Sequence, residues 1–269
     1  MNKFKKLMAL VMVSAILLSF ASCSKGKTDN NETTTVAGNM NENSVYTDPI
    51  VIEDVTVAKE LFSTYFDGEK LFISQYNGNQ ETVTIPNKID GQDVYGVSGS
   101  AFSSNKSVKK VIFSDGIVTL GESCFYRCDN LKEVVLPETL TYIGGNAFFM
   151  CMSLESIVIP ASVEELGMGV FQSCKNLKNV TFKGFPTYFD ASVFEGTAIE
   201  TITIPEGIEK LFSDTFGKCQ NLKTAYIPAT VTYINKYTFY ESPNVTIIAP
   251  AGSYAQTFAQ EQGIPFQAQ

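Results

Sequence analysis

Apolar positions along this chain follow two periods at once. The short period is two. Apolar residues alternate ahead of a proline, as in Leu131, Val134, Leu136 and Leu154, Ile157, Ile159. The closing pairs are Ile85-Pro86, Leu136-Pro137, Ile159-Pro160, Ile204-Pro205 and Ile227-Pro228. Alternating β-branched residues closed by Pro predict short strands with one buried face. A second apolar pair at i and i+3 follows each of four of these prolines: Leu140/Ile143, Val163/Leu166, Ile208/Leu211 and Val231/Ile234.

The long period is set by phenylalanine. Phe102, Phe125, Phe148, Phe171, Phe194, Phe216 and Phe239 recur every 22 or 23 residues, in step with the strands. One such unit cannot bury its own apolar face, whereas stacked units share a continuous core. Written out, the unit is Leu131-Lys132-Glu133-Val134-Val135-Leu136-Pro137 running through Ile143-Gly144-Gly145-Asn146-Ala147-Phe148 to Cys151.

This unit resembles the BspA-like class of bacterial leucine-rich repeats, and the likeness extends over roughly residues 80–250, from Ile85-Pro86-Asn87-Lys88-Ile89-Asp90-Gly91 to Gly252-Ser253-Tyr254-Ala255. The resemblance implies a curved, right-handed leucine-rich repeat solenoid of about seven repeats of 22–23 residues, its short strands forming a sheet. It also implies a surface protein; members with a proposed role bind host or microbial surface proteins. The pattern departs locally. Phe113-Ser114 and Phe182-Lys183 replace the Ile-Pro pair, and the turn at Pro186-Thr187-Tyr188-Phe189 reads as lacking both the i, i+3 pair and its Gly.

Solenoids need ends that shield the stack from water and edge pairing. Residues 50–79 predict an N-terminal cap, with strand-like runs Leu61–Phe66 and Lys70–Tyr76 around the hairpin signal Asp67-Gly68. Residues 250–269 predict a C-terminal cap: Ser253 caps a short helix through about Gln262, which Gly263 ends before Pro265. Two caps around repeats at 80–249 predict a complete module.

The first 22 residues read differently. Lys3, Lys5 and Lys6 precede an apolar run from Leu7 to Phe20, followed by Ala21 and Ser22, the layout of an export signal. Fourteen residues of helix span about 21 Å, short of a bilayer core. Ser19-Phe20-Ala21-Ser22-Cys23 resembles the lipobox of bacterial lipoproteins, with Phe20 where Leu is more usual. That resemblance implies lipidation of Cys23 and an extracytoplasmic, membrane-anchored protein; plain secretion with an incidental Cys is the alternative. Residues 23–49, rich in Asn, Thr, Glu and Ser, offer too little apolar surface to offset their ordering entropy and are expected to form a disordered polar linker.

Composition narrows the chemistry. Of 269 residues 44% are hydrophobic and 18% charged, with 20 Lys+Arg against 28 Asp+Glu and neither His nor Trp. An acidic balance argues against a nucleic-acid partner, whose footprint is a basic patch. The lack of His removes Ser-His-Asp and Cys-His triads and most zinc hydrolase sites. Glu164-Glu165 and the scattered Asp residues form no pair spaced for acid–base work, and no cofactor motif is present. A carboxylate-dependent hydrolase survives only as an alternative.

Cys128, Cys151, Cys174 and Cys219 stand three places after the register Phe; Asn105, Thr197 and Ser242 fill that slot elsewhere. All are small and hydrogen-bond, which fits a buried ladder serving loop backbone groups. Turns about 4.8 Å apart also lie within reach of a disulfide, and a metal role is the third reading. Cys124 precedes Phe125 and makes a lone C-x-x-x-C with Cys128.

The candidate site is geometric. Residues between the buried ones point out of the sheet. One outward column is Thr84, Ile112, Val135, Val158, Thr181, Thr203, Tyr226; its neighbour is Thr82, Lys110, Glu133, Ser156, Asn179, Thr201, Thr224. Ile112, Val135 and Val158 form an apolar stripe beside Lys110 and Glu133, and apolar patches with polar rims mark contact sites. A second candidate is Phe185, Tyr188 and Phe189 at the irregular turn. The expected role is non-catalytic binding of an extracellular or cell-surface protein, with membrane attachment through lipid on Cys23. A passive spacer without a ligand is the rival.

Overall fold

The computed structural model describes residues 59–269; the expected export signal, Cys23, the expected polar linker and the first part of the expected N-terminal cap lie outside the described residues. The chain winds into a leucine-rich repeat solenoid of about nine turns, two more than the phenylalanine register alone predicts. The extra turns come from the two ends, where capping segments complete the winding without a register Phe.

Each regular turn contributes two short strands, so two parallel ladders run along the molecule. The first ladder holds Thr82–Ile85, Lys110–Phe113, Glu133–Val135, Ser156–Ile159, Asn179–Phe182, Thr201–Thr203, Thr224–Tyr226, Thr246–Ala249 and Phe266–Ala268. Its hydrogen bonding is grouped into sheets of three, two and four strands. The second ladder holds Leu71–Tyr76, Gln92–Val97, Thr119–Leu120, Tyr142–Ile143, Glu165–Leu166, Tyr188–Phe189, Lys210–Leu211 and Tyr233–Ile234. These strands arise from the apolar i, i+3 pair, whose second residue points inward while the residue before it faces out.

Between the ladders the register phenylalanines stack face to face. Ring centroids are 4.7 Å apart for Phe102 and Phe125, and 5.3–5.7 Å apart from Phe125 through Phe239, with planes within 23°. Tyr76 extends the column at one end, 4.8 Å from Phe102, and Phe258 of the C-terminal helix closes it at 6.4 Å from Phe239. Repetition at a fixed core position therefore makes this aromatic series packing. Burying each ring contributes about 1.5–3 kcal/mol. The turns around Phe102 through Phe216 are tight: left-handed residues sit two places before and after each, as Ser123 and Arg127 do around Phe125, while Phe239 has one only after it, at Glu241.

The hairpin and the short C-terminal helix both form among the described residues. Phe62–Phe66 pairs antiparallel with Leu71–Tyr76, and Asp67 fixes the turn by accepting from the amides of Glu69 and Lys70 at 2.9 and 2.8 Å. At the other end Ser253 caps the helix Tyr254–Gln262 and Gly263 ends it at φ 68°. A further strand, Phe266–Ala268, then pairs with Thr246–Ala249.

The turn at residues 182–190 corrects the sequence reading. Pro186 and Phe189 are both buried and occupy the i, i+3 slots of Val163 and Leu166, and Phe189 pairs in register with Leu166. Phe189 packs against Phe182 and Phe194 at 5.4 and 5.8 Å. The apolar pair is present there, made of larger residues.

Candidate binding faces

The first ladder presents the predicted columns in register. Ile112 lies opposite Val135, and Lys110 opposite Glu133; Val158 pairs with Thr181 and Ser156 with Asn179; Thr203 pairs with Tyr226. Val135 and Val158 are 43% and 41% exposed, while Ile112 is half-buried. Their inward neighbours Val134 and Ile157 are buried, so strand alternation is what puts the stripe outside. Lys110 and Glu133 do not stand as separate charges: Nζ and Oε1 are 2.7 Å apart, a cross-strand ion pair at one border. Lys183 and Glu138, 2.6 Å apart, form another ion pair just beyond the proline ends of the strands. Thr181 and Thr203 are exposed and Tyr226 is half-buried, which makes the later turns more polar.

The second candidate does not hold together. Phe185 is 69% exposed and Tyr188 faces solvent, but Phe189 is fully buried. The signal that separates them was in the register, since Phe189 follows Leu166 by one repeat. Tyr188 belongs instead to a column that sequence reading passed over. On the outward side of the second ladder stand Thr119, Tyr142, Glu165, Tyr188, Lys210 and Tyr233, joined by register pairs from strand to strand within each sheet. The three tyrosines are exposed.

The cysteines lie inside, as structural hydrogen-bond donors. Cys128, Cys151, Cys174 and Cys219 are fully buried with free thiols. Their Sγ atoms donate to the carbonyls of Phe102, Phe125, Phe148 and Phe194 at 3.0–3.2 Å. Burial pushes the Cys128 and Cys174 thiols up to about 12. Cys124 is likewise buried and its pKa raised, chiefly by burial.

Acidic chemistry was the remaining possibility. Glu195 is buried to 8% exposure, but its oxygens are taken by Lys218 Nζ at 2.7 Å and Gln172 Nε2 at 2.7 Å. Nearby Asp214 has its pKa raised by burial and then by Glu195, with Lys218 opposing. A shallow pocket of about 390 Å³ lies elsewhere, among Val231, Thr232, Pro250, Ser253 and Tyr254, and no carboxylate lines it. Among the described residues no group of three or more His, Cys, Asp or Glu side chains is placed to hold a metal.

The model of the BspA type leucine-rich repeat region matches in six copies, over residues 73–176, 95–223 and 146–258. The chain belongs to this family. Among solved structures, a leucine-rich repeat protein of T. pallidum is 21% identical with a TM-score of 0.52; the match covers 78% of this chain and 96% of that one, and shows the shared fold. A leucine-rich cell surface protein of Faecalibacterium prausnitzii A2-165 matches at 16% identity and TM-score 0.41, over 76% of this chain and 77% of its own. The pneumococcal vaccine antigen PcpA matches at 20% identity and TM-score 0.49, over 78% of this chain and 48% of its own. No curated protein matches the chain.

Proposed function

We propose that this BspA-type protein is a lipid-anchored, extracytoplasmic binding module that holds another surface protein on the outward face of its first ladder. The observation that carries the reading is the exposed pair Val135 and Val158, one turn apart and continued by Ile112. Isolated exposed valines are ordinary, but a row of them bordered by paired charges matches the apolar centre and polar rim of a contact surface. The segment Leu7–Phe20 followed by Cys23 supports export and anchoring.

The test compares the full chain with a Val135→Asp, Val158→Asp variant in pull-downs from host-matrix and bacterial-surface extracts. Both side chains are exposed, so circular dichroism and urea midpoint should remain unchanged. Saturable capture of one partner, lost in the variant, supports the proposal. Equal capture by both proteins, or by neither, sinks it. Radiolabelled lipid incorporation that disappears in Cys23→Ser tests the anchor separately.

A further inference from the structure

The outward face of the second ladder has a chemistry of its own. Tyr142, Glu165 and Tyr188 lie on three successive strands in register. Strands about 4.8 Å apart place the two tyrosines about 9.6 Å from each other, with a carboxylate between them. Glu122, Glu165 and Asp190 surround Tyr142 closely enough to help burial raise its hydroxyl pKa, and Asp190 and Glu165 do the same at Tyr188. Glu122 and Glu165 make no ion pair among the described residues, so negative potential coincides with exposed aromatic side chains; the Tyr188 ring also packs on one side against Phe212, centroids 5.5 Å apart. The protein already satisfies such an arrangement once, at the head of the same sheet, where Lys70 Nζ sits 3.5 Å from the centroid of the Tyr95 ring.

We propose that this face docks an extended basic peptide segment of a partner protein, with Lys or Arg at every third residue. Two cations are seated on Tyr142 and Tyr188 beside Glu122, Glu165 and Asp190. The charge complement is direct, because a cation over a tyrosine face is attracted by the ring as well as by the flanking carboxylates. Spacing selects the backbone. A polyproline-type helix repeats its side-chain direction every three residues, about 9.3 Å, which matches alternate turns of the solenoid. A β-strand repeats every two residues, about 6.7 Å, and would miss the second ring. Tyr233, two strands beyond Tyr188, extends the platform past Lys210, where an uncharged residue of the partner fits. This surface is separate from the valine stripe and does not depend on it.

The probe is a nine-residue peptide of three Arg-Pro-Pro repeats, titrated into the full chain. Tyrosine emission, unmasked because the protein has no Trp, reads binding alongside calorimetry. Controls are a peptide of the same composition with its arginines contiguous, a Glu-Pro-Pro peptide and a neutral cello-oligosaccharide. Saturable binding of the first peptide is expected, weakened about threefold by Tyr142→Leu or Tyr188→Leu and about tenfold by both. Tyr142→Phe should retain affinity, since it keeps the ring, and Glu165→Gln should weaken binding and flatten its salt dependence. Val135→Asp, Val158→Asp should bind the peptide as the parent does. The proposal is overturned by failure to saturate, by equal binding of the contiguous-arginine peptide, or by unchanged affinity in a folded Tyr142→Leu, Tyr188→Leu variant. Saturation by the oligosaccharide alone assigns the face to a glycan and overturns it too.

Discussion

The thiol of Cys151 donates a hydrogen bond to the backbone carbonyl of Phe125, one turn earlier, at 3.2 Å. The final regular turn makes the same bond with a hydroxyl: Ser242 Oγ donates to Phe216 O at 2.6 Å. In these turns the slot holds a small side chain that donates across the turn boundary, and sulfur is one solution; Thr197 donates within its own turn, to the Phe194 carbonyl, and Asn105 accepts from the amides of Ser107 and Val108. Cys151→Ser should therefore cost less than about 1 kcal/mol. Cys151→Ala leaves the Phe125 carbonyl with the Cys128 amide as its remaining donor, at 3.1 Å, so it loses one hydrogen bond and should cost about 1–1.5 kcal/mol. Urea midpoints of the two variants decide the matter; equal losses would show that volume, and not the donor, is what the slot requires.

The same burial makes the thiols inert and couples them to alkaline pH. Cys128 and Cys174 have pKa values pushed up to about 12, first by burial, and Cys151 and Cys219 shift in the same direction for the same leading reason. An unfolded thiol loses its proton near pH 8.5. Below that pH the contribution to stability is fully present. It is lost as pH rises toward 12, because the unfolded chain then binds fewer protons than the folded one. The loss should reach about 1–2 kcal/mol per thiol by pH 10, and Cys151→Ser should remove one share of it. A thiol reagent at pH 8 should leave Cys124, Cys128, Cys151, Cys174 and Cys219 unmodified until denaturant is added. Rapid native-state labelling of any of them would contradict this.

Gly144 sets how closely two turns approach. A Cβ there would stand 2.8 Å from Glu122 N, Gly121 C and Leu120 O, all backbone of the preceding turn. Gly121 and Gly167 meet the same obstruction in their turns, at 2.5 and 2.6 Å. Gly144→Ala should therefore push the turns apart and cost about 1–3 kcal/mol by overpacking. Gly252→Ala meets no atom within 4 Å, but its φ of 77° disfavours a side chain. Its cost should be nearer 1 kcal/mol. Hydrogen exchange should locate the loosening of Gly144→Ala at Leu120–Ile143; protection unchanged there would mean the stack absorbs a methyl group.

What the sequence displayed follows from what repeats. Phe148 and Ile159 recur in register because the stacked core tolerates little else, and Ser253 and Gly263 carry their capping chemistry in their identity. Tyr142 and Tyr233 were harder to see. Strands of two residues are too short to show alternation, so their apolar pairs read as packing and the outward residue between them went unexamined. Phe189 misled for the opposite reason: an aromatic in a turn without its glycine looked like surface. Its register with Leu166 is the stronger constraint, since a core slot is filled from inside whatever the loop does. The Lys110–Glu133 pair needed the strand register, which places two separately exposed charges directly opposite.

Two ion pairs of nearly equal length should differ in worth. Lys218 lies 2.7 Å from Glu195 and Lys223 lies 2.8 Å from Glu200, but the Glu195 side chain is 10% exposed whereas Glu200 is 58% exposed. Water solvates Glu200 whether or not Lys223 is present, so Lys223→Ala should leave the urea midpoint essentially unchanged. Removing Lys218 leaves the Glu195 carboxylate with Gln172 as its remaining side-chain partner and Asp214 still close by. Lys218 is itself half exposed, so the cost falls below that of a fully buried pair but should clearly exceed that of Lys223→Ala. Adding Glu195→Gln to Lys218→Ala removes the stranded charge and should recover part of the loss. Urea midpoints of the four proteins at low and high salt test the contrast. Equal losses at Lys218 and Lys223, or no recovery in the double variant, would mean that Glu195 is better solvated than its position between two turns implies.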